Sequence, residues 1–307
     1  MKATTNWTVA DIPNLAGRTA VVTGANSGVG FETAVELARR GATTILACRS
    51  VPRGERAISK IHALIPSADA RLMALDLADL SSIDQFAENL CVDHDHLSLL
   101  VNNAGIMATP HRETVDGFEL QIGTNHLGPF ALTAKLMPAL LNASAARVVN
   151  VSSIAHRDET IDTQALNPDP NGYNRWRAYG RSKLANLLFT YELQRRLESA
   201  SIEHVAAIAA HPGVSKTNIA QGYGIVAQIF MPFVGLFLQS AKMGALPTLR
   251  AATDPSAKGA QYYGPDGPKE RRGYPVIVSS TPESHDENVA RLLWERSEEL
   301  TGVKFEI

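Results

Sequence analysis

Residues 18–30 of the 307-residue chain read RTAVVTGANSGVG. The nearly continuous apolar run at the start predicts a strand over Arg18–Thr23 that is buried on both faces of a sheet. A glycine-rich turn follows it, and the apolar spacing of Val29–Arg40 predicts a helix directly afterwards. A strand, a glycine turn and a helix in this order are typical of the first unit of a doubly wound α/β sheet.

The rest of the chain repeats this alternation of short strands and amphipathic helices. Further strands are predicted at Thr43–Cys48, Arg71–Leu75, Leu97–Val101, Arg147–Val151 and His204–Ala209. Further helices are predicted at Arg53–Ile65, Ser81–Cys91, Gly117–Leu141, Ala178–Ala200 and the highly charged Ser284–Leu300. The alternation predicts a single domain over residues 1–307 with a Rossmann-type parallel sheet and helices on both faces.

The composition excludes several classes of protein. With 45% hydrophobic and 20% charged residues the chain is globular, and a net charge of -2 argues against a nucleic-acid partner. Cys48 and Cys91 are the only cysteines in the sequence, so we expect no disulfide framework and a reducing, cytoplasmic location. The first residues lack the pattern of a cleaved signal peptide, and none is expected.

The glycine turn has the spacing of a phosphate-binding loop. Gly24 can make the tight turn, Gly28 allows the backbone to approach a pyrophosphate, and Gly30 allows close packing of helix against strand. The free amides and the positive dipole end of the following helix favour phosphate binding. The loop therefore predicts a dinucleotide site, with Asn26, Ser27 and Val29 as its other contacts.

The residues after the second strand indicate which dinucleotide binds. Cys48 stands where an acidic residue would bind the ribose hydroxyls of NAD, and Arg49 follows it. A guanidinium can donate two hydrogen bonds to a 2′-phosphate, so the sequence favours NADP(H), with Arg53 as a possible second contact. Asp76 and Leu77, after the third strand, are predicted to contact the adenine.

Three later motifs fall at the ends of predicted strands. LVNNAG (residues 100–105) ends the fourth strand, VVNVSS (148–153) ends the fifth, and HPG (211–213) follows the sixth. Ligands of such sheets bind at the carboxyl ends of the strands. The candidate ligand contacts from these motifs are Asn103, Ala104, Gly105, Ser153, Pro212 and Gly213.

Tyr179 and Lys183 stand four residues apart in the predicted helix Ala178–Ala200, which brings them to one face. A free phenol has a pKa near 10, and a neighbouring ammonium favours the phenolate. Hydroxyl donors can also stabilise the alkoxide character that hydride transfer creates or consumes. The pair lies at the edge of a predicted buried stripe and can face a cleft; the stripe is Leu184, Leu187, Leu188 and Tyr191.

Together the glycine loop, NNAG, VSS, Tyr-x-x-x-Lys and PG motifs resemble those of the short-chain dehydrogenase/reductase family, over roughly residues 17–213. LACR (46–49) and LWERSEELTGVKF (293–305) are similar to its retinol dehydrogenase and protochlorophyllide reductase branch. The resemblance implies a homodimer or homotetramer, although this branch also includes monomeric and membrane-associated proteins.

The resemblance also implies roles for individual residues. Tyr179 would be the general acid/base, Ser153 would hydrogen-bond the substrate oxygen, and Ser152 would point away. Lys183 would bind the nicotinamide ribose and lower the pKa of Tyr179. Asn125 would hold a helix distortion and a water that links Lys183 to solvent. The nicotinamide would lie between Pro212 and Val214.

One apolar segment, residues 219–246, interrupts the regular pattern: IAQGYGIVAQIFMPFVGLFLQSAKMGAL. Polar residues and a proline interrupt it, so it is not expected to span a membrane. A lid over an apolar substrate, a core helix and a peripheral membrane contact remain open, and we assign residues 214–250 to a substrate-binding lid.

The sequence thus predicts an NADP(H)-dependent oxidoreductase, a carbonyl reductase that interconverts a carbonyl and an alcohol on a lipophilic small molecule. Reduction of a C=C bond, as in protochlorophyllide reductases, is an alternative, and so is a regulatory protein that binds NADPH without turnover. The sequence predicts no metal site, because His94 and His96, with Asp93 and Asp95 beside them, match no established ligand spacing. His156 could line the substrate mouth.

Overall fold

The computed structural model describes residues 6–167, 170–214 and 239–307. In these ranges the sheet has eight strands in the order β3-β2-β1-β4-β5-β6-β7-β8. Neighbouring strands are parallel except for the last pair, in which β8 runs antiparallel to β7. The strands are β1 Thr19–Thr23, β2 Thr43–Cys48, β3 Ala70–Ala74, β4 Leu99–Asn102, β5 Ala146–Val151, β6 Val205–Ala210, β7 Tyr262–Pro265 and β8 Pro275–Ile277.

Helices cover both faces of this sheet, as predicted. They are α1 Gly28–Arg39, α2 Val51–Leu64, α3 Leu80–Asp93, α4 Gly128–Leu141, α5 Arg175–Ser199, α6 Ala241–Thr253 and α7 Glu287–Thr301. Apolar side chains of α1, α2 and α6 form one core with one face of the strands, and those of α3, α4 and α5 form a second core on the other face. Alternate residues of β1 enter the two cores: Ala20 and Val22 the first, Val21 the second.

Side-chain caps explain why several helices begin where they do. Asp79 accepts hydrogen bonds from the amides of Ser81 and Ser82 at the start of α3, and Asn174 does the same for Trp176 and Arg177 at the start of α5. Such caps satisfy amides that have no partner inside the helix. The start of α5 matters most for the site, because this helix carries Tyr179 and Lys183.

The predicted helix Gly117–Leu141 is wrong in its first part. Gly117 has a φ of +81° and lies before the helix, and the helical turn begins at Leu120–Ile122, where the Glu119 carboxylate accepts from two amides. A π-helical turn, Gly123–Leu127, then precedes α4. The wider π turn is typical of functional positions in helices, and this one contains Asn125.

The predicted lid, residues 214–250, is only partly described. Residues 215–238 lie outside the described residues, and this range contains most of the apolar segment 219–246. Its last part forms the first turns of α6, where Ala245, Leu246 and Leu249 are buried against α1 and the sheet. At this end the segment is therefore a core helix. No helix among the described residues has both the length and the apolar character needed to cross a bilayer.

Candidate active site

A cleft opens at the carboxyl edge of the sheet, between β1 and β4, where the strand order changes direction. Ligands of doubly wound sheets bind at such a switch point. Most of the candidate site residues line it: Gly24, Asn26, Ser27, Gly28, Val29, Gly30, Arg49, Asp76, Leu77, Asn103, Ala104, Gly105, Tyr179, Lys183 and Pro212. Asn125, Ser153, Gly213 and Val214 do not line it directly, and their positions are described below.

Residues 24–30 form one side of the cleft, which we call the glycine wall. Gly24 has a φ of +67°, so the chain turns there in a conformation that disfavours side chains. A Cβ atom on Gly30 would lie 2.7 Å from the Gly24 carbonyl oxygen and would also collide with the Asn103 side chain. Thr23 ties this wall to β4, because its hydroxyl accepts from the amides of Asn103 and Ala104 at 3.0 and 2.9 Å.

The far end of the cleft carries positive charge at its rim. Arg49 and Arg53 both line the cleft and are solvent-exposed. Cys48 lies behind them, fully buried, and burial raises the pKa of its thiol to about 11 despite hydrogen bonds to the backbone of Ala25 and Asn26. A neutral thiol and two guanidinium groups suit a phosphate on the ribose better than free ribose hydroxyls.

Asp76 and Leu77, which the sequence predicts to contact the adenine, lie in the same cleft. The Asp76 carboxylate accepts from the Ala78 amide at 3.0 Å, which orients it at the end of β3. The Leu77 backbone is packed so closely against Gly128 that a Cβ at Gly128 would collide with the Leu77 carbonyl oxygen. The start of α4 therefore fixes this end of the cleft.

Tyr179 and Lys183 lie at the inner end of the cleft, on the first turns of α5. Both are nearly fully buried, with 6% and 4% of their surface exposed. Burial raises the pKa of the Tyr179 phenol, and a hydrogen bond with Ser153 acts in the opposite direction. The neighbouring Ser152 instead donates its hydroxyl to the Lys183 carbonyl oxygen at 2.8 Å. Ser152 lines the cleft while it donates to the α5 backbone, whereas Ser153 lies beside Tyr179 without lining the cleft.

The electrostatics of Lys183 differ from the simple picture of an ammonium beside a phenol. Its Nζ donates to the Val151 carbonyl oxygen at 2.9 Å and lies 5.8 Å from the centre of the Tyr179 ring. Burial lowers the pKa of Lys183 to about 8. The Lys183 amine is therefore mostly protonated at neutral pH. The sequence led us to expect a lowered pKa for Tyr179, but the burial of the Tyr179 phenol opposes this.

Asn125 holds the loop that follows β4. Its Oδ1 accepts from the Ile106 amide at 2.8 Å, and its Nδ2 donates to the Ile106 carbonyl oxygen and to the Ser182 hydroxyl, each at 2.9 Å. It is completely buried in the π turn. A Cβ at Gly105 would lie within 3.1 Å of Asn125 Oδ1 and 3.3 Å of Lys183 Nζ, so these two groups share one small space.

Residues 211–214 follow β6 and bring Pro212 to the cleft; we call them the hairpin wall, because the loop between β7 and β8 supports them. Pro212 lines the cleft. Gly213 has a φ of +62°, and its amide donates to His211 Nδ1 at 3.2 Å. The Val214 amide donates to the carbonyl oxygen of Arg271 in the hairpin loop at 2.9 Å. Gly213 and Val214 therefore anchor Pro212 from behind.

His156 does not line a mouth. Its side chain is fully buried, its Nδ1 contacts the Ser153 carbonyl oxygen at 2.6 Å, and burial lowers its pKa to about 4. The expectation was wrong because the chain after Ser153 turns inward as a 3₁₀ helix, Ile154–Asp158. Within the described ranges no three histidine, cysteine, aspartate or glutamate side chains are grouped so that they could bind a metal ion.

Several cleft residues were missed by sequence reasoning: Thr23, Ala47, Ser50, Leu75, Ile106, Met107, Thr124 and Val151. Most of them adjoin a recognised motif, so extending each motif by one or two positions would have found them. Thr124 directly precedes the candidate Asn125 and reaches the cleft through the same π turn.

Comparison with known proteins identifies relatives over nearly the whole chain. The model of the short chain dehydrogenase family matches residues 18–224. Retinol dehydrogenase 13 of Homo sapiens is 40% identical over 295 residues, which cover 94% of this chain and 86% of that protein. Retinol dehydrogenase 12 of Homo sapiens is 39% identical, with 95% of this chain and 89% of that protein covered.

Solved structures resemble the fold as well. An uncharacterized protein from Mycobacterium Paratuberculosis is 44% identical and superimposes with a TM-score of 0.83, covering 99% of this chain and 100% of that chain. A short chain dehydrogenase from Shigella flexneri 2a, solved in complex with NADP, is 22% identical with a TM-score of 0.63, covering 81% of this chain and 97% of that chain. At that identity the second likeness concerns the fold alone.

Proposed function

The chain belongs to the short-chain dehydrogenase family of oxidoreductases, and from this premise we propose that it is an NADP(H)-dependent carbonyl reductase of lipophilic small molecules, with Tyr179 as general acid/base. The observation that carries the proposal is the buried Tyr179, with Ser153 and Lys183 beside it, at the inner end of a cleft whose outer end presents two arginines.

The cofactor assignment rests on the fit of the cleft to NADP(H). A side chain at Gly30 would collide with Asn103 and the Gly24 carbonyl oxygen, so the start of α1 packs closely against the loop and its free N-terminal amides would bind the pyrophosphate. Arg49 and Arg53 at the rim would hold a 2′-phosphate, and buried Cys48 offers no carboxylate to repel it. When bound, NADPH supplies the hydride.

The residues at the inner end would handle the proton. A phenol whose pKa is raised by burial keeps its proton at neutral pH, so Tyr179 suits the role of donor to the carbonyl oxygen of the substrate. Ser153 would donate a hydrogen bond to the same oxygen, and Lys183, mostly protonated, would stabilise the phenolate that remains. In the oxidation direction the phenolate would take the proton from the alcohol.

The chemical class of the substrate is inferred from the relatives and from the chain itself. Two relatives about 40% identical over nearly their full length are named retinol dehydrogenases, and retinol is a lipophilic alcohol. The apolar segment 219–246 is consistent with a lipophilic substrate. The cytoplasm is the expected compartment, because both cysteines are free, Cys48 buried and Cys91 exposed.

The proposal is tested by following NADPH consumption with a panel of apolar aldehydes, ketones and retinaldehyde. Tyr179→Phe is the control variant, because it removes only the phenolic hydroxyl group and keeps the ring in its buried position. We expect turnover by the wild type and a loss of at least about 10³-fold in the variant, since it removes the general acid completely.

NADPH affinity is measured on the same samples and should change by less than about threefold. Turnover that survives in Tyr179→Phe would remove Tyr179 from its proposed role. Binding of NADPH without turnover of any carbonyl would contradict the carbonyl reductase and point to reduction of a C=C bond or to a regulatory protein.

A further inference from the structure

We infer that Glu270 is a positioning residue for this reaction: its carboxylate orients the buried His211 ring, and through it the backbone of the hairpin wall. The inference rests on the proposed function, because it assigns the hairpin wall to the reacting end of the cleft. Glu270 lies in the loop between β7 and β8, 59 residues after His211, and no motif connects the two.

The contacts of His211 allow only one tautomer and one orientation of its ring. The ring is completely buried. Its Nδ1 faces the Gly213 amide, a donor, at 3.2 Å, so Nδ1 must be the unprotonated acceptor. Its Nε2 faces Glu270 Oε2 at 2.9 Å, so Nε2 carries the proton and donates it to the carboxylate. A carboxylate that fixes the tautomer and orientation of an imidazole is a common arrangement at functional sites.

The other oxygen of the same carboxylate is held by Arg157. Arg157 Nη2 donates to Glu270 Oε1 at 2.6 Å and also contacts the Ser279 carbonyl oxygen at 3.4 Å. Arg157 belongs to the 3₁₀ helix that follows Ser153. Glu270 therefore joins the segment after Ser153 to the segment that carries Pro212, and these two segments border the reacting end of the cleft from β5 and β6.

The hairpin loop is shaped to deliver this carboxylate. Lys269 and Glu270 both have a φ of +54°, a left-handed conformation that is strained for residues other than glycine. At Gly264 in β7, any Cβ would overlap the Nε2 atom of the His211 ring. Backbone strain of this kind persists where surrounding contacts determine it, and here the contacts are those of the Glu270 carboxylate.

Loss of the Glu270 carboxylate would affect the cleft through the Gly213 amide, which His211 holds next to Pro212. Gly213 sits so close to the hairpin loop that a Cβ would lie 2.5 Å from the Arg271 carbonyl oxygen. The Gln239 side chain donates to the Pro212 carbonyl oxygen and accepts from the Gly273 amide. Without Glu270 the His211 ring can change tautomer, and its acceptor for the Gly213 amide is lost for part of the time. Pro212 would then be held less tightly.

The competing explanation is that the ion pair of Arg157 and Glu270 only stabilises the fold. The Arg157 and Glu270 side chains keep 39% and 21% of their surface exposed, and pairs that are partly solvated contribute little to stability. The contact with His211 differs, because that ring is fully buried. The two explanations therefore predict different results for a glutamine at position 270, which can still accept from His211 but cannot form the ion pair.

The experiment compares Glu270→Ala and Glu270→Gln with Glu295→Ala. The last variant is the matched control, since it removes an ion pair of 2.9 Å with Arg291 on the exposed face of α7. In Glu270→Ala we expect kcat for the best carbonyl substrate to fall by about tenfold or more, with the KM changed less than about threefold, because small displacements of a reacting geometry have effects of this size. Glu270→Gln should restore most of kcat, and the control should match the wild type.

A readout that does not need turnover is the ¹⁵N spectrum of the His211 ring. We expect the Nε2-protonated tautomer in the wild type and in Glu270→Gln, and a mixture of tautomers in Glu270→Ala. Wild-type kcat in Glu270→Ala, equal losses in the alanine and glutamine variants, or an unchanged tautomer in Glu270→Ala would each overturn the inference. If the wild type has no turnover, the proposed function fails and the tautomer still decides the inference about Glu270.

Discussion

The two walls of the cleft are built in different ways. The glycine wall is one continuous stretch, residues 24–30, whose shape comes from its own backbone and from close contacts with Asn103. The hairpin wall, residues 211–214, takes its shape from side chains far away in the sequence: Gln239, 27 residues from Pro212, and Glu270, 59 residues from His211. One wall is encoded locally, and the other exists only after the C-terminal part of the chain has folded against it.

This difference separates what the two walls can contribute. A locally encoded loop of backbone amides suits a group that many proteins share, the pyrophosphate of a dinucleotide. A wall held by distant side chains can vary with the rest of the chain while the cofactor site stays the same. We therefore expect substitutions in the glycine wall to act on NADPH binding and those behind the hairpin wall to act on kcat.

Among substitutions in the glycine wall, Gly30→Val should have the largest effect on NADPH affinity. Its side chain would overlap the Asn103 side chain and the Gly24 carbonyl oxygen, so either the loop or the start of α1 must move. We expect a loss of at least about 100-fold in NADPH affinity, together with about 2–3 kcal/mol in the free energy of unfolding, as for overpacking of a core. Fluorescence titration and urea unfolding measure the two.

Gly172→Ala is the control for this prediction, since a Cβ at Gly172 would meet no atom within 4 Å. It should leave both quantities unchanged. NADPH affinity that survives in Gly30→Val would mean that the glycine wall does not hold the pyrophosphate.

Arg49→Asp tests the outer end of the cleft, beyond the glycine wall, with a smaller effect. The exposed guanidinium at the rim would lose its hydrogen bonds to a 2′-phosphate, and the new carboxylate would repel the phosphate. We expect the preference for NADPH over NADH to fall by about 10- to 100-fold, the size of a charge-assisted hydrogen bond or two. Arg56→Asp, exposed on helix α2 but outside the cleft, should leave the preference unchanged. An unaltered ratio in Arg49→Asp contradicts the cofactor assignment.

Acid should lower the free energy of unfolding through His156, a buried histidine beside the hairpin. His156, packed against Tyr262 of β7, has a pKa lowered to about 4 by burial, whereas an unfolded histidine titrates near 6.5. Below pH 6.5 the unfolded chain binds the extra proton, so stability is lost as the pH falls from about 6.5 to about 4. The wild type should lose about 2 kcal/mol more than His156→Asn between pH 7 and pH 5.

Urea unfolding at the two pH values checks this prediction, and the exposed His62→Asn serves as control. Burial raises the pKa of Glu270, but its bonds to His211 and Arg157 outweigh this and hold its pKa below the usual range. Glu270 is present in both proteins, so its titration contributes equally to both and does not confuse the comparison. Equal pH dependence in the wild type and His156→Asn would show that His156 is not held neutral.

The same contrast explains what the sequence could predict. Six strands were located to within about two residues, because buried parallel strands carry apolar runs that are visible locally. Strands β7 and β8 were missed because they are only 4 and 3 residues long and rich in glycine and proline. Helix α6 was predicted only as one alternative for the apolar segment 219–246, because Pro247 lies inside it and its first residues continue that segment.

The candidate site divides in the same way. Glycine spacing, NNAG and the Tyr179–Lys183 pair are local patterns, and the structure brings these residues to one cleft. The burial that raises the pKa of Tyr179, the inward turn of His156 and the carboxylate of Glu270 depend on contacts between distant segments. No spacing in the sequence indicates them.

The most direct test of the account follows the label from NADPH deuterated at its transferring carbon into retinaldehyde, with the product analysed by mass spectrometry and NMR. A carbonyl reductase with Tyr179 as general acid would place deuterium on the carbon that bears the new hydroxyl group. Tyr179→Phe would give no labelled product, although it still binds NADPH. Deuterium on a carbon of a former C=C bond, or equal labelling by Tyr179→Phe, would contradict the account.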